Sequence, residues 1–357
     1  MEKIEVSILI ATFNSQNILG RVLESIKKQT LPRNRFEILI IDGGSKDDTL
    51  EIAKKYKCKI IRNPLIVPLN AKYLGFFKAR GRYVMTLDHD EVLQNKKSLE
   101  NRINIFKRDK RVKILYGSGY ITPENSSPIN HYLNEYGDPF SFFIYRLTKD
   151  YRYFIGTMRK RYEVVYDGDN YIIVKVLLGE RPPLMEVMTG GGMVDKAYVL
   201  KKFSKYVSVK ENFLPFMNLH FLKISPYIAI MKNDPLYHYT TENLKKYLKK
   251  LEWRIRNNVY FHNTTDTADF LNREDYEGKG KDVKKYLFIP YGLTLFFPLL
   301  DSLWLSITRR NLIYLIHLPL AILTAILIIY HYLKKILGFR PVPTSYDGTT
   351  KIVKRYN

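Results

Sequence analysis

The sequence predicts an α/β fold: a doubly wound, mostly parallel sheet followed by C-terminal hydrophobic helices. Three observations carry this. Short β-branched runs alternate with amphipathic stretches over roughly the first 120 residues. Polar tips rich in Gly, Asp and Asn follow successive runs, and the last quarter of the chain turns apolar.

Val6–Ala11 is the first apolar run; Glu2, Glu5 and its shortness set it apart from a signal peptide, so it reads as a buried strand. A polar turn at residues 12–17 leads into an amphipathic helix through Gln29. Phe36–Ile41 is the second strand, and Ser45 is placed to cap the next helix with Asp47 and Asp48 in its first turn. Lys59–Arg62 is a short third strand, Asn70–Ala79 a helix, Arg82–Leu87 the fourth strand, Lys96–Lys107 a helix and Val112–Gly117 the fifth strand. Ligands on such sheets bind beyond the carboxyl ends of the strands. The tips after strands one, two and four are therefore expected to share one crevice.

Composition narrows what that crevice serves. The chain has 357 residues, with 58 Lys plus Arg against 35 Asp plus Glu, a formal charge of +23. That surplus points to an anionic partner. A single cysteine, Cys58, excludes an internal disulfide framework and a multi-cysteine metal cluster. No nucleic-acid-binding module is visible, so nucleic acid is not the expected partner. Asp88 and Asp90 stand one residue apart at a strand end, where two carboxylates can hold a hard divalent cation and leave positions open for phosphate oxygens. The glycines at 43 and 44 have neither Walker A nor dinucleotide spacing.

Four segments, Val6–Asn14, Ile40–Thr49, Asn70–Gly75 and Ala79–Asp90, resemble family 2 glycosyltransferases and occur in that family's order. The resemblance covers roughly residues 4 to 120. It implies the A-type nucleotide-sugar fold, a divalent cation (Mg or Mn) and inversion at the anomeric carbon. It also implies that Phe13 lies against the nucleotide base with Ala11 and Thr12 lining it, and that Asp42 accepts a hydrogen bond from the base. Lys72 falls near the ribose or diphosphate, with Asp88 and His89 on the nucleotide sugar. Asp88 and Asp90 fall to the metal, and His238 matches a position that some relatives use as a further ligand.

An inverting transfer needs a base for the acceptor hydroxyl. Residues 189–193 fit the family's Gly-rich loop, so Gly191 and Gly192, with Trp253 downstream, are acceptor candidates. Asp195 and Glu211 are the next acidic residues. The family's acidic pair aligns with Glu211 and Asn212, and Asn212 stands where an Asp base is common; asparagine cannot take the proton, so Glu211 is the expected base.

Leu287–Ile307 contains no charge except Asp301, and Leu312–Leu333 contains none. Each is long enough to cross a hydrocarbon core of about 30 Å. Pro290, Gly292, Pro298 and Asp301 mark the first as kinked, re-entrant or interfacial. Basic residues beyond the second suggest a helical hairpin with both flanks cytoplasmic. Residues 131–154 are dense in aromatics, which suits either an interfacial segment or a local core over the sheet; residues 161–176 alternate as a hairpin, and residues 243–258 form a basic helix. The expected organisation is a nucleotide-sugar half (1–120), an acceptor half (121–285), a membrane hairpin (286–335) and a basic tail (336–357). The function expected is transfer of a single sugar from a nucleotide-diphosphate sugar to a lipid-linked or cell-envelope glycan acceptor. It would take place at the cytoplasmic face of the cell membrane, against anionic headgroups. A catalytically inactive nucleotide-sugar-binding or scaffolding membrane protein is the alternative, motivated by Asn212.

Overall fold

The computed structural model describes residues 4–64, 68–176, 191–202, 225–240, 243–261, 283–342 and 344. It divides into two compact units: Met1–Ile121 with Lys149–Tyr239, and Thr122–Thr148 with Thr240–Asn357.

Among the described residues the first unit carries twelve strands: β1 (Val6–Thr12), β2 (Phe36–Asp42), β3 (Lys59–Arg62), β4 (Tyr83–Asp88), β5 (Glu91–Leu93), β6 (Ile114–Tyr116), β7 (Tyr120–Ile121), β8 (Glu163–Asp167), β9 (Tyr171–Lys175), β10 (Met193–Asp195), β11 (Tyr227–Met231) and β12 (Leu236–His238). Nine form one sheet in the order β3-β2-β1-β4-β10-β6-β11-β9-β8. Of these, β10 and β9 run against the rest. The expected doubly wound, mostly parallel sheet is thus present. Val6, Ile8, Ile10, Leu39 and Ile40 are buried because helices cover both faces of the parallel strands, which is why these strands read as continuous apolar runs. β5, β12 and β7 form a second, small sheet.

One local expectation needs correction, and one strand was missed. The helix after β2 is Thr49–Lys55 with Asp48 at its N-cap, not Ser45; the Ser45 hydroxyl is engaged by Asp42 at 2.5 Å instead. A strand the sequence reading did not name, β10, lies beside β4, inserted antiparallel between β4 and β6. The hairpin expected around residue 168 is present as β8 and β9.

The second unit is helical. Its helices are Ile129–Tyr136, Pro139–Tyr145, Leu244–Phe261, Phe288–Leu293, Phe296–Arg309 and His317–Ile336. The aromatic run supplies its core rather than a cover for the sheet: Tyr132, Tyr136 and Phe142 pack with Tyr247, Leu251, Leu305, Tyr314 and Leu320. A polar chain runs through this interior. Arg146 grips both oxygens of Asp301. The Tyr291 hydroxyl donates to Asp301 at 2.6 Å and lies 2.7 Å from His317 Nε2, while Tyr132 meets His317 Nδ1 at 2.6 Å. Glu135 takes Arg309 Nε at 2.7 Å and also bonds Tyr314. Leu312–Ile336, with mean hydropathy 2.6 over its most apolar window, is long and apolar enough to cross a membrane. Lys285–Leu293 and Phe296–Arg309 meet at 89°, the kink that the prolines and glycine of this stretch foreshadow.

Candidate functional site

The parallel registry sets the site. Thr12 lies opposite Asp42 and Ala11 opposite Asp88, so the ends of β2, β1 and β4 are level. The tips after β1 and β2 are laced together: Asn14 N–H donates to Ser45 Oγ at 2.8 Å, Lys46 N–H to Asn14 Oδ1 at 3.0 Å, and Ser15 N–H to Thr49 Oγ1 at 2.7 Å. Asn14 holds φ 48°, a left-handed conformation that asparagine tolerates. Phe13 sits half-buried at this tip.

Asp42 is buried and turned inward. Its Oδ1 accepts from Thr12 and Ser45 hydroxyls, and its Oδ2 from the backbone N–H groups of Gly44 and Ser45 at 2.7 and 2.8 Å. Gly44 at φ 95° makes that turn possible. Asp42 therefore organises the tip on which Phe13 and Asn14 rest.

Asp88, half-buried at the end of β4, is paired with Lys72 Nζ at 2.9 Å. Burial opposes its ionisation, but the Lys72 charge and hydrogen bond, aided by His89 and His238, hold its carboxyl below the usual range. Asp90 lies 3.8 Å from His238 Nε2. The juxtaposition comes from β12 pairing with β5, which sets His238 opposite Glu91. A carboxylate and an imidazole at that separation can both reach one divalent cation at about 2.1 Å each, so the donor types suit a metal. Among the described residues no group of three or more His, Cys, Asp or Glu side chains is already gathered for one.

Gly191 and Gly192 lead into β10 beside β4: Thr86 N–H donates to Gly192 O at 2.9 Å. The Gly-rich turn therefore borders Asp88. Asp195 does not. It lies opposite Tyr83, at the far end of β4, because antiparallel β10 runs away from the crevice. Five residues of strand separate the levels of Tyr83 and Asp88, about 16 Å. There Asp195 pairs with Arg82 at 3.2 Å and accepts from Tyr198 N–H. Trp253 belongs to the second unit, where its indole N–H donates to Thr344 O at 3.0 Å. Glu211, Asn212, Thr189 and Gly190 lie outside the described residues.

Two supports escaped the sequence. Glu91 is fully buried behind Asp88 and Asp90, receiving the Tyr120 hydroxyl at 2.5 Å and Asp88 N–H at 3.0 Å. Burial and the neighbouring Asp88 charge push its pKa up to about 8. Tyr120 in turn stacks on His238, ring centroids 4.4 Å apart. The second support is Arg102, also fully buried, which bonds Asp234 Oδ2 at 2.8 Å and Ser98 Oγ at 3.1 Å and donates to the Gly191 carbonyl. It holds the Gly-rich turn against the sheet. Their signals, a third acid after Asp-x-Asp and an arginine on an apolar helix face, are too common to be read without coordinates.

Residues 7–167 match the family model described as Glycosyl transferase family 2. The poly(ribitol-phosphate) β-N-acetylglucosaminyltransferase TarS of Staphylococcus aureus is 29% identical over 101 residues, 27% of this chain and 18% of that protein. The cholesterol galactosyltransferase of Borreliella burgdorferi is 33% identical over 114 residues, 28% of this chain and 31% of that one. The matched stretches thus span a third or less of these relatives. The structure of a mannosyltransferase from Pyrobaculum calidifontis in complex with GDP-Man and Mn2+ superposes with a TM-score of 0.50 at 11% identity, covering 94% of this chain and 88% of that one, a likeness of fold. The match to the Glycosyl transferase family 2 model thus covers residues 7–167, and the sheet that carries them has the A-type fold.

Proposed function

We propose that the protein transfers a single sugar, with inversion, from a nucleoside diphosphate sugar to a lipid-linked or cell-envelope glycan acceptor at the cytoplasmic face of a membrane. The observation that carries this reading is the level convergence of the β1, β2 and β4 tips, with Asp88 on Lys72 and Asp90 on His238. Phe13, Ala11 and Thr12 line the base, and Asp42 acts through them by keeping their turn in shape. His89 and Lys72 flank the ribose and diphosphate. Asp88, Asp90 and His238 hold the divalent cation, which when bound neutralises charge on the departing diphosphate. Lys72 adds a second positive charge at the same place. Gly191 and Gly192 leave room for the acceptor, and Trp253 is kept as an acceptor contact. As the acceptor oxygen bonds to the anomeric carbon and the bond to the diphosphate breaks, the hydroxyl proton passes to the Glu211 carboxylate.

TarS and the Borreliella enzyme are named for very different acceptors, a polyol phosphate polymer and a sterol. An anionic glycan or a lipid diphosphate would suit the +23 charge.

The test is a panel of nucleotide sugars with Mn or Mg, read as thermal stabilisation and as donor hydrolysis or transfer to extracted lipid and glycan acceptors. Asp90→Ala should lower turnover about a hundredfold or more. Glu211→Gln should abolish transfer and keep nucleotide binding. Full activity in Asp90→Ala would refute the metal site, and full activity in Glu211→Gln would move the base elsewhere. Nucleotide binding without turnover against any acceptor would favour the inactive scaffold that Asn212 suggests.

A further inference from the structure

The C-terminal helices are built inside out. Along Phe296–Arg309 the inward side chains are Pro298, Ser302, Leu305 and Ser306. The two serine hydroxyls are buried and bond back to carbonyls of their own helix, Pro298 O and Ser302 O. The outward side chains are Phe296, Leu300, Leu303, Trp304 and Ile307, the last 74% exposed. Their spacing sets them on one stripe. In water a helix hides its large apolar residues and shows its serines; this one does the reverse. His317–Ile336 repeats the inversion, with His317, Ala321, Thr324, Ala325 and His331 inward and Ile326, Leu333 and Ile336 outward. Its contact with Phe288–Leu293 is made through small residues. A Cβ on Gly292 would lie 2.8 Å from Ala325 Cβ and 2.9 Å from Ala321 O, the close approach typical of helices packed in lipid.

We propose that this surface is seated in a single leaflet of an anionic bilayer and that none of these helices crosses it. The proposal rests on the membrane reading above and replaces the hairpin with a monotopic seat. Three observations argue against a crossing. Phe296–Arg309 has 14 residues, about 21 Å of helix against a hydrocarbon core of about 30 Å. It leaves the preceding segment at 89° through Leu295, whose left-handed φ of 60° fixes the bend. The helix Leu244–Phe261 lies along His317–Ile336. Its Tyr247, Leu251, Ile255 and Val259 share a core with Leu320, Leu327 and Ile328, and Lys335 Nζ donates to Val259 O at 2.5 Å. Were Leu312–Ile336 to cross, it would take Lys245, Lys246, Lys249 and Glu252, all exposed, into hydrocarbon with it. Lipid is the occupant because Arg310, Lys334 and Arg340 edge the apolar stripes, and Trp304, Tyr330 and Tyr332 are the amphipathic rings favoured at headgroup level.

The experiment uses the full chain with Cys58→Ser and single reporters Arg310→Cys, between the last two helices, and Arg340→Cys, beyond them. Sealed membrane vesicles of known orientation are treated with a membrane-impermeant maleimide before and after permeabilisation. Both reporters should react from the same face. Opposite faces, the result for either one crossing or two, overturn the proposal. In flotation with phosphatidylcholine–phosphatidylglycerol vesicles, the Phe296→Ser, Leu300→Ser, Trp304→Ser variant should bind at least tenfold less than its parent. Unchanged flotation, or a parent that ignores vesicles and self-associates in detergent-free buffer, also overturns it. UDP and GDP binding with Mn, measured on the same preparations, keeps the two readings apart. A crossing with nucleotide binding intact sinks the monotopic seat alone; same-face labelling without nucleotide binding sinks the transferase alone.

Discussion

Glu37 shows how one side chain sets a pH response. It is buried on β2, where it accepts from Ser7 Oγ at 2.7 Å, Arg80 N–H at 2.7 Å and Arg80 Nε at 2.9 Å. Burial alone would raise its pKa; the hydrogen bonds and the arginine outweigh burial and lower it. The stabilisation is therefore full above the ordinary carboxylate pKa and is lost as pH falls through the depressed folded value. Glu37→Gln should lower stability by about 1–3 kcal/mol at neutral pH and flatten the acid side of the unfolding curve, measured by urea midpoints across pH. Arg102→Leu is predicted to be more damaging, about 3–5 kcal/mol, because Asp234 would be left in a fully buried site without its cationic partner. Cys58, by contrast, should be inert: burial pushes its thiol up to about 12, so an aromatic disulfide reagent at pH 8 should react far faster after unfolding than before. At this scale Asp88 and Asp90 were legible because polar residues at the end of a buried apolar run have few other reasons to be there. Glu91, Tyr120 and His238 were not legible as a group, since their contact depends on β5, β7 and β12 pairing across more than a hundred residues of chain.

At the level of elements, the parallel strands β1 to β4 could be read from β-branched runs bounded by turn residues, to within a residue or two. β10 could not. It has three residues, Met193–Asp195, and its place between β4 and β6 comes from long-range pairing that no local pattern encodes. That insertion put Gly192 beside Thr86, near the end of β4, and carried Asp195 away. The aromatic helices were legible as apolar, with a local core over the sheet as one of two readings, but not as the core of a second unit, because their partners lie more than a hundred residues later. Removing residues 286–357 should accordingly not release a soluble fragment. It would bare Tyr132, Tyr136 and Phe142 and leave Arg146 and Glu135 without Asp301 and Arg309. The truncated chain is expected to aggregate, which light scattering at micromolar protein checks. A monodisperse product would show that the second unit's core is dispensable.

For the molecule as a whole, the +23 charge and the outward apolar stripes make separable contributions to surface binding. Charge attraction is screened over about 10 Å at 0.1 M salt, whereas apolar burial is not. Binding to anionic vesicles should weaken severalfold as salt rises from about 0.05 to about 0.5 M and then level off at the strength seen with zwitterionic vesicles. A continued fall to nothing would leave the apolar stripes without a role. The path of the chain has its own consequence. The second unit joins Thr122–Thr148 to Thr240–Asn357, so its first two helices leave the ribosome about a hundred residues ahead of the helices that enclose them. At about 5–20 residues per second, that is several seconds in which a sticky aromatic hairpin has no home. Cells making this protein must shelter that nascent stretch, and a chaperone or the lipid surface itself is the natural place of refuge.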